Sequence, residues 1–229
     1  MADRDAYIAL VTSLPRPERL FFAKQPPLSR LRLDRRLSDL TPEDRETLRR
    51  IEHLLSWSNY GMEADASVSA ARVAAALDGL ESATLRAIIE ERVDLRTVVA
   101  ALRIRARGDG PPPGQWSASR LTRHLAENWR DPVFRLDRRL PWLPQAAKLL
   151  EARDPLGLER HMLDVTFRQL QRHGARHFFD FEAVVIYVLK WNIFERWSRS
   201  DARAAARRFE RLADEALASF DEDDLRGAA

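Results

Sequence analysis

His173 and His177 stand four residues apart, and Asp180 follows three residues later. Neutral imidazoles at that spacing on one helix can chelate a metal ion. Gly174 lies between them, however, and Asp180 is placed as a helix cap, so the segment reads as a loop and no metal ligand is assigned. Were the chain a helical enzyme, these three residues would be its first catalytic candidates. Asp221-Glu222-Asp223-Asp224 lacks the spaced ligands and the turn glycine of a calcium loop and reads as a solvated acidic tail. Lys190 ends the apolar run Ala183 to Leu189. Its stem is expected in the core and its ammonium near Glu182, Glu195 or the surface.

Other chemistries are missing their residues. Gly108-Asp109-Gly110 runs into three prolines instead of opening a helix, and no Gly-x-x-x-x-Gly-Lys-Ser/Thr string occurs, so no phosphate cradle is expected. There is no Gly-x-Ser-x-Gly elbow. The absence of Cys excludes disulfides and thiolate metal sites. The expectation is a protein with no catalytic residues, no cofactor and no metal.

The charge is carried by arginine. Lys and Arg total 38, yet only Lys24, Lys148 and Lys190 are lysines. With 35 acidic residues the net charge is only +3, and the pI near 9.6 follows from how high arginine titrates. Basic clusters occur at Arg30/Arg32/Arg35/Arg36, Arg45/Arg49/Arg50, Arg103/Arg105/Arg107 and Arg199/Arg203/Arg207/Arg208. Acidic residues interrupt them, so a salt-bridged helical surface is expected rather than one nucleic-acid face. Forked guanidinium groups suit protein interfaces, and six tryptophans for this length add anchors for core or interface.

Those residues must be positioned by helices. Ala, Leu, Arg and Glu dominate and only 8 glycines occur, which predicts an all-α chain. The expected architecture is an irregular array of packed helical hairpins, forming one helical domain over residues 1–229. Residues 1–40 read as an extended, Pro-rich N-terminal strap, with Ala6 to Val11 a short strand or extended piece and Pro15, Pro17, Pro26 and Pro27 forbidding a long helix. Thr41 caps a helix that starts at Pro42 and ends by Gly61. Within the first helical group, 41–107, Val68 to Leu77 is short. Leu85, Ile88 and Ile89 form a stripe, and Asp94 opens a further segment with Leu95, Val98, Val99 and Leu102. Arg96, Arg103 and Arg107 form that segment's polar face.

Residues 108–116 are a Gly/Pro loop. The second helical group, 117–220, begins with Ser117 or Ser119 capping a helix that carries Leu121, Leu125 and Trp129. Asp154-Pro155 opens a helix to about Arg172 with two apolar stripes: Leu158, Met162 and Val165, then Leu163, Phe167 and Leu170. Asp180 caps a nearly all-apolar helix to Trp197, and the two form an antiparallel hairpin. A last helix spans about 201–220, and 221–229 is the acidic tail. Residues 67–107 and 154–197 share a helix, a break and a more apolar helix, the pattern of a degenerate repeat. No run approaches the roughly 18 apolar residues of a membrane span, and no signal segment is visible, so a cytoplasmic protein is expected.

The stretch Tyr7-Ile-Ala-Leu-Val-Thr-Ser-Leu-Pro15, with Gln25-Pro-Pro-Leu28 and Leu40-Thr-Pro-Glu-Asp44, resembles the opening of an uncharacterised bacterial family encoded among V-type ATPase subunits. The likeness continues through Phe179-Asp-Phe-Glu-Ala-Val-Val-Ile-Tyr-Val-Leu-Lys190 and Glu195-Arg-Trp197. Val93 to Gly108 is similar to the helix that ends each repeat of the V/A-type ATPase central-stalk subunit, called C in bacteria and archaea and d in eukaryotes. Asp154 to Arg160, followed by Val184 to Lys190, looks like its other helix pair. The chain is shorter than the usual three-repeat subunit.

The resemblance implies a non-catalytic helical socket that joins the rotor shaft to the membrane rotor ring. Its partners would be the shaft and ring subunits, with peripheral attachment to the cytoplasmic membrane through them. The expected partner surface is the Arg-rich stripe Arg96, Arg103 and Arg107. Two other readings stand beside it: an assembly or regulatory factor of the same complex, and a helical nucleic-acid-binding regulator.

Overall fold

Nine helices account for the regular structure of residues 7–16, 20–22, 25–56 and 70–200, the residues described by the computed structural model, and no strand occurs among them. Pro15, Pro26 and Pro27 flank helices instead of excluding them. α1 (Ile8–Ser13) ends as Leu14 turns extended ahead of Pro15. α2 (Arg30–Leu37) starts after Pro26 and Pro27, where the Ser29 hydroxyl accepts from the Arg32 N–H. Leu10, Leu33 and Leu37 seat both helices in the core. Among the described residues the expected extended strap is therefore corrected to two short helices with irregular connections, because Pro15, Pro26 and Pro27 fall outside them.

α3 (Pro42–Leu55) starts as expected: Thr41 accepts from the Asp44 N–H, Pro42 occupies the first turn, and Glu43 and Asp44 face the positive end of the helix. It ends at Leu55; Gly61 lies outside the described residues. α4 (Ala70–Leu77) is short, and Gly79 at φ +67° turns the chain into the next helix.

α5 (Ala83–Ala106) is the axis of the molecule. It is one helix of 24 residues, so Asp94 does not open a new segment. No proline or glycine interrupts residues 83–106, and the Asp94 carboxylate meets a neighbouring loop instead of its own helix. Its Oδ1 accepts from Ser119 Oγ at 2.6 Å and its Oδ2 from Arg120 Nε at 3.3 Å. Thr97 and Ser117 hydroxyls lie 2.6 Å apart beside them. These buried bonds lock residues 115–122 onto the helix. α6 (Thr122–Glu127) follows with Leu121 at its start, and the Ser119 hydroxyl accepts from the Leu121 N–H rather than capping the helix. Trp129 lies beyond α6 and donates to the Asp109 carbonyl.

α7 (Leu143–Glu151) and α8 (Pro155–Gly174) complete this half. α9 (181–200) follows, and the Ala183 N–H in its first turn donates to Asp180 Oδ1 at 2.9 Å, as the cap reading requires. α8 and α9 run antiparallel. Gly174 faces Ile186 and Lys190, Phe167 meets Phe194 edge-on at 5.7 Å, and Glu159 meets Arg196 and Ser200. The predicted helix 201–220 and acidic tail lie outside the described residues.

Two apolar cores share α5 and α8. The first takes Leu85, Ile88, Ile89 and Val93 of α5, Leu163, Phe167 and Leu170 of α8, most of α9 and the N-terminal helices. The second takes Leu95, Val98, Val99 and Leu102 of α5 and Leu158, Met162 and Val165 of α8, against α6, α7 and Phe134. The two stripes read from the α8 sequence thus serve different cores. α5 is buried on nearly all sides because a core lies along each half. Lys190 fits its sequence reading only in its stem: it is half-buried, but Nζ lies over the Phe167 ring and no ion pair joins it to Glu182 or Glu195 among the described residues, and burial holds its pKa below the ordinary lysine value.

Candidate interaction cleft

The C-terminal half of α5, the end of α7 and the first half of α8 enclose a cleft of about 460 Å³. Its floor is Leu95, Val99, Leu149, Leu150, Leu158 and Met162, and its rim carries Arg96, Arg103, Arg153 and Arg196 with Asp154 and Glu159. The two acidic groups are engaged. Asp154 Oδ1 accepts from the Gly157 N–H at the start of α8, and Glu159 pairs with Arg196 at 2.6 Å. Four arginines against two carboxylates leave the rim net cationic around an apolar floor. That combination suits an amphipathic segment bearing carboxylates.

Arg153 reaches the rim from a strained position. α7 closes in a Schellman arrangement: the Arg153 N–H donates to the Leu150 carbonyl at 3.1 Å and the Asp154 N–H to the Leu149 carbonyl at 3.0 Å. The residue between must be left-handed, and Arg153 sits at φ +52° where glycine is the usual choice. A side chain there costs about 1 kcal/mol. Glycine would adopt that turn without the cost.

The three arginines singled out on α5 have different fates. Arg96 turns inward, and its guanidinium donates to the carbonyls of Leu54, Leu55 and Ser56 at 2.9–3.0 Å. It closes the open end of α3 and only borders the cleft. Arg103 lines the cleft wall. Arg107 is the exposed residue that follows α5 as its C-cap, pairs with Asp109 at 3.3 Å, and lies outside the cleft lining. Helical spacing puts all three on one face; the fold brings Arg96 and Arg103 to one wall, while Arg107, beyond the end of α5, lies apart.

Two neighbours were not singled out as site residues. Arg153 and Arg196 come from other helices, and only the Asp154-Pro155 helix start hinted that the preceding residue would sit in a sharp turn. Arg105, in the same basic cluster, is structural: it donates to the carbonyls of Asp131 and Pro132 and lies 4.8 Å from the Phe134 ring centroid. Burial holds its pKa below the ordinary arginine value.

A second, more polar cleft of about 500 Å³ adjoins the first through Arg196. Within it Arg30 pairs with Glu52 at 2.9 Å and Arg199 with Glu195 at 2.8 Å. Buried Arg92 lies at its base, its pKa held down to about 9 by burial and then by the charge of Arg96.

The histidines are separated by the fold. His173 Nε2 lies 3.2 Å from Glu91 Oε2, within ion-pair distance but misaligned for a hydrogen bond. His177 Nδ1 lies 2.6 Å from Asp180 Oδ2, and its Nε2 lies 2.9 Å from Thr84 Oγ1 at the start of α5. Among the described residues, the one group of potential metal donors is His177, Asp180 and Glu182. Thr84 was absent from the sequence reading, since nothing in the primary structure links residues 84 and 177. No helix among the described residues is long and apolar enough to cross a membrane. No family model matches the chain, and neither a curated protein nor a solved structure matches it.

Proposed function

We propose that this chain is a non-catalytic V-type ATPase-associated subunit, a C/d-like central-stalk socket that links the rotor shaft to the membrane rotor ring. The observation that supports the reading is the apolar cleft with its arginine rim, built on the same α5 segment that resembles the repeat-closing helix of the stalk subunit. A socket must transmit torque without yielding. A 24-residue helix buried between two cores meets that mechanical need, because close-packed interiors resist deformation. The cationic rim would grip acidic surfaces of the shaft or ring, and membrane attachment would come through those partners.

An assembly or regulatory factor of the same complex would use the same cleft and differ in stoichiometry. The nucleic-acid reading draws less support. Arginines of the described surface meet acids at Arg30–Asp34, Arg49–Glu46, Arg123–Glu127 and Arg168–Asp164, so positive charge is divided rather than gathered on one face.

The strained rim arginine provides the test. Arg153→Gly should raise unfolding free energy by about 1 kcal/mol, because glycine accepts the left-handed turn. The same variant should weaken association with the stalk subunits by about tenfold, the loss expected when one charged interface contact goes. Denaturant melts and a binding titration read the two effects separately. Gained stability with unchanged association would remove the cleft from the proposed interface.

A further inference from the structure

We propose that the two adjoining clefts form one binding site for a single-chain anionic phospholipid, its acyl chain on the apolar floor of the first and its phosphate among the arginines of the second. The inference goes beyond the stalk reading and does not rest on it.

The clefts differ from each other as the two ends of such a molecule do. The first, of about 460 Å³, has an aliphatic floor that includes Leu95, Val99, Leu150 and Met162. The second, of about 500 Å³, is lined by Arg30, Arg49, Arg92, Arg196 and Arg199 against the carboxylates Glu52 and Glu195, with His53 beside them. Arg196 lines both, so the two spaces meet at its side chain.

Ion pairs within the second cleft leave it cationic. Glu52 pairs with Arg30 and Glu195 with Arg199, at 2.9 and 2.8 Å. Arg49 and Arg196 pair with Glu46 and Glu159, which stand outside the lining. Counting all four carboxylates, the five arginines remain in excess among the described residues. Arg92 is buried at the base, and the charge of Arg96, one turn along α5, adds to burial in lowering its pKa. Like charges four residues apart on a helix repel, and an anion at the base of the cleft offsets that repulsion. A phosphate suits the place better than a carboxylate, because it offers more acceptor oxygens to guanidinium forks that converge from α2, α3, α5 and α9.

The floor sets the size of the chain. A methylene takes up about as much space as a water molecule, roughly 30 Å³. The first cleft therefore holds one acyl chain of about a dozen carbons and has no room for a second. Each methylene buried there should tighten binding about fourfold. A chain on this floor and an acidic protein segment would exclude one another.

The test is isothermal titration of the full-length chain with lauroyl lysophosphatidic acid below its critical micelle concentration. The expected result is one equivalent bound with micromolar affinity. The zwitterionic choline lipid of the same chain length should bind at least about tenfold more weakly, and so should glycerol phosphate, which lacks the chain. Leu150→Gln puts an amide on the half-buried floor, and Arg199→Gln removes an exposed guanidinium from the second cleft. Each should weaken binding about tenfold while helicity stays unchanged. Absence of saturable binding, equal affinity for the choline lipid, or full binding by either folded variant would overturn the proposal. If Leu150→Gln fails to fold, Arg199→Gln and the choline lipid decide the matter.

Discussion

Replacing Arg96 with Met should lower the unfolding free energy by about 3 kcal/mol in a urea titration, with little change in the slope. Methionine preserves the aliphatic stem and removes only the fork. The carbonyls of Leu54, Leu55 and Ser56 then lose a charged donor that reaches all three at 2.9–3.0 Å. Hydrogen bonds to a charged group contribute about 1.5–3 kcal/mol each, but the three are not additive and water recovers part of the loss. Arg107→Met is the control: its partner Asp109 is exposed, so the change should stay within about 0.5 kcal/mol. If both variants melt alike, Arg96 does not hold the end of α3.

The second large effect concerns Asp94. Asp94→Ala should lower stability by about 3 kcal/mol, whereas Asp94→Asn should lose only about 1 kcal/mol because an acceptor oxygen remains. The alanine leaves the buried Ser119 hydroxyl without its acceptor and takes from Arg120 one of its two carboxylate partners, the other being Glu90 at 3.6 Å. The effect should be local as well as global. Residues 115–122 are tied to α5 mainly through Asp94, Thr97 and their serine partners. Amide exchange in that segment should therefore accelerate more than exchange in α8. Uniform acceleration across the chain would show that the network serves the whole core and not this loop.

These residues also show where sequence reasoning reached and where it stopped. The Thr41-Pro42 and Asp154-Pro155 starts, the Asp180 cap and both α8 stripes were legible because caps and periodicity act over one or two turns. Asp94 was misread as a helix start for the same local reason. An acidic residue before an apolar stripe looks like a cap, and only the tertiary partner Ser119, 25 residues away, shows otherwise. α1 and α2 were missed because proline density was taken as a bar to helices, although Pro15, Pro26 and Pro27 lie outside them.

The site was legible only in part. Arg96 and Arg103 share a helical face that spacing predicts, but spacing cannot tell a guanidinium that caps another helix from one that lines a cleft. Arg153 and Arg196 join the rim from elements far away in sequence. The link between Thr84 and His177 spans 93 residues and has no local signature.

The central claim is membership of a V-type ATPase. The most direct measurement is purification of the tagged chain from detergent-solubilised native membranes, with quantitative mass spectrometry of the proteins recovered. The account predicts the V-type shaft and rotor-ring subunits in near-stoichiometric amounts, with recovery reduced for an Arg103→Glu, Arg107→Glu variant of unchanged helicity. Consistently substoichiometric recovery would identify an assembly factor rather than a stalk subunit. Recovery of the chain without V-type subunits, or with nucleic acid in their place, would contradict the account.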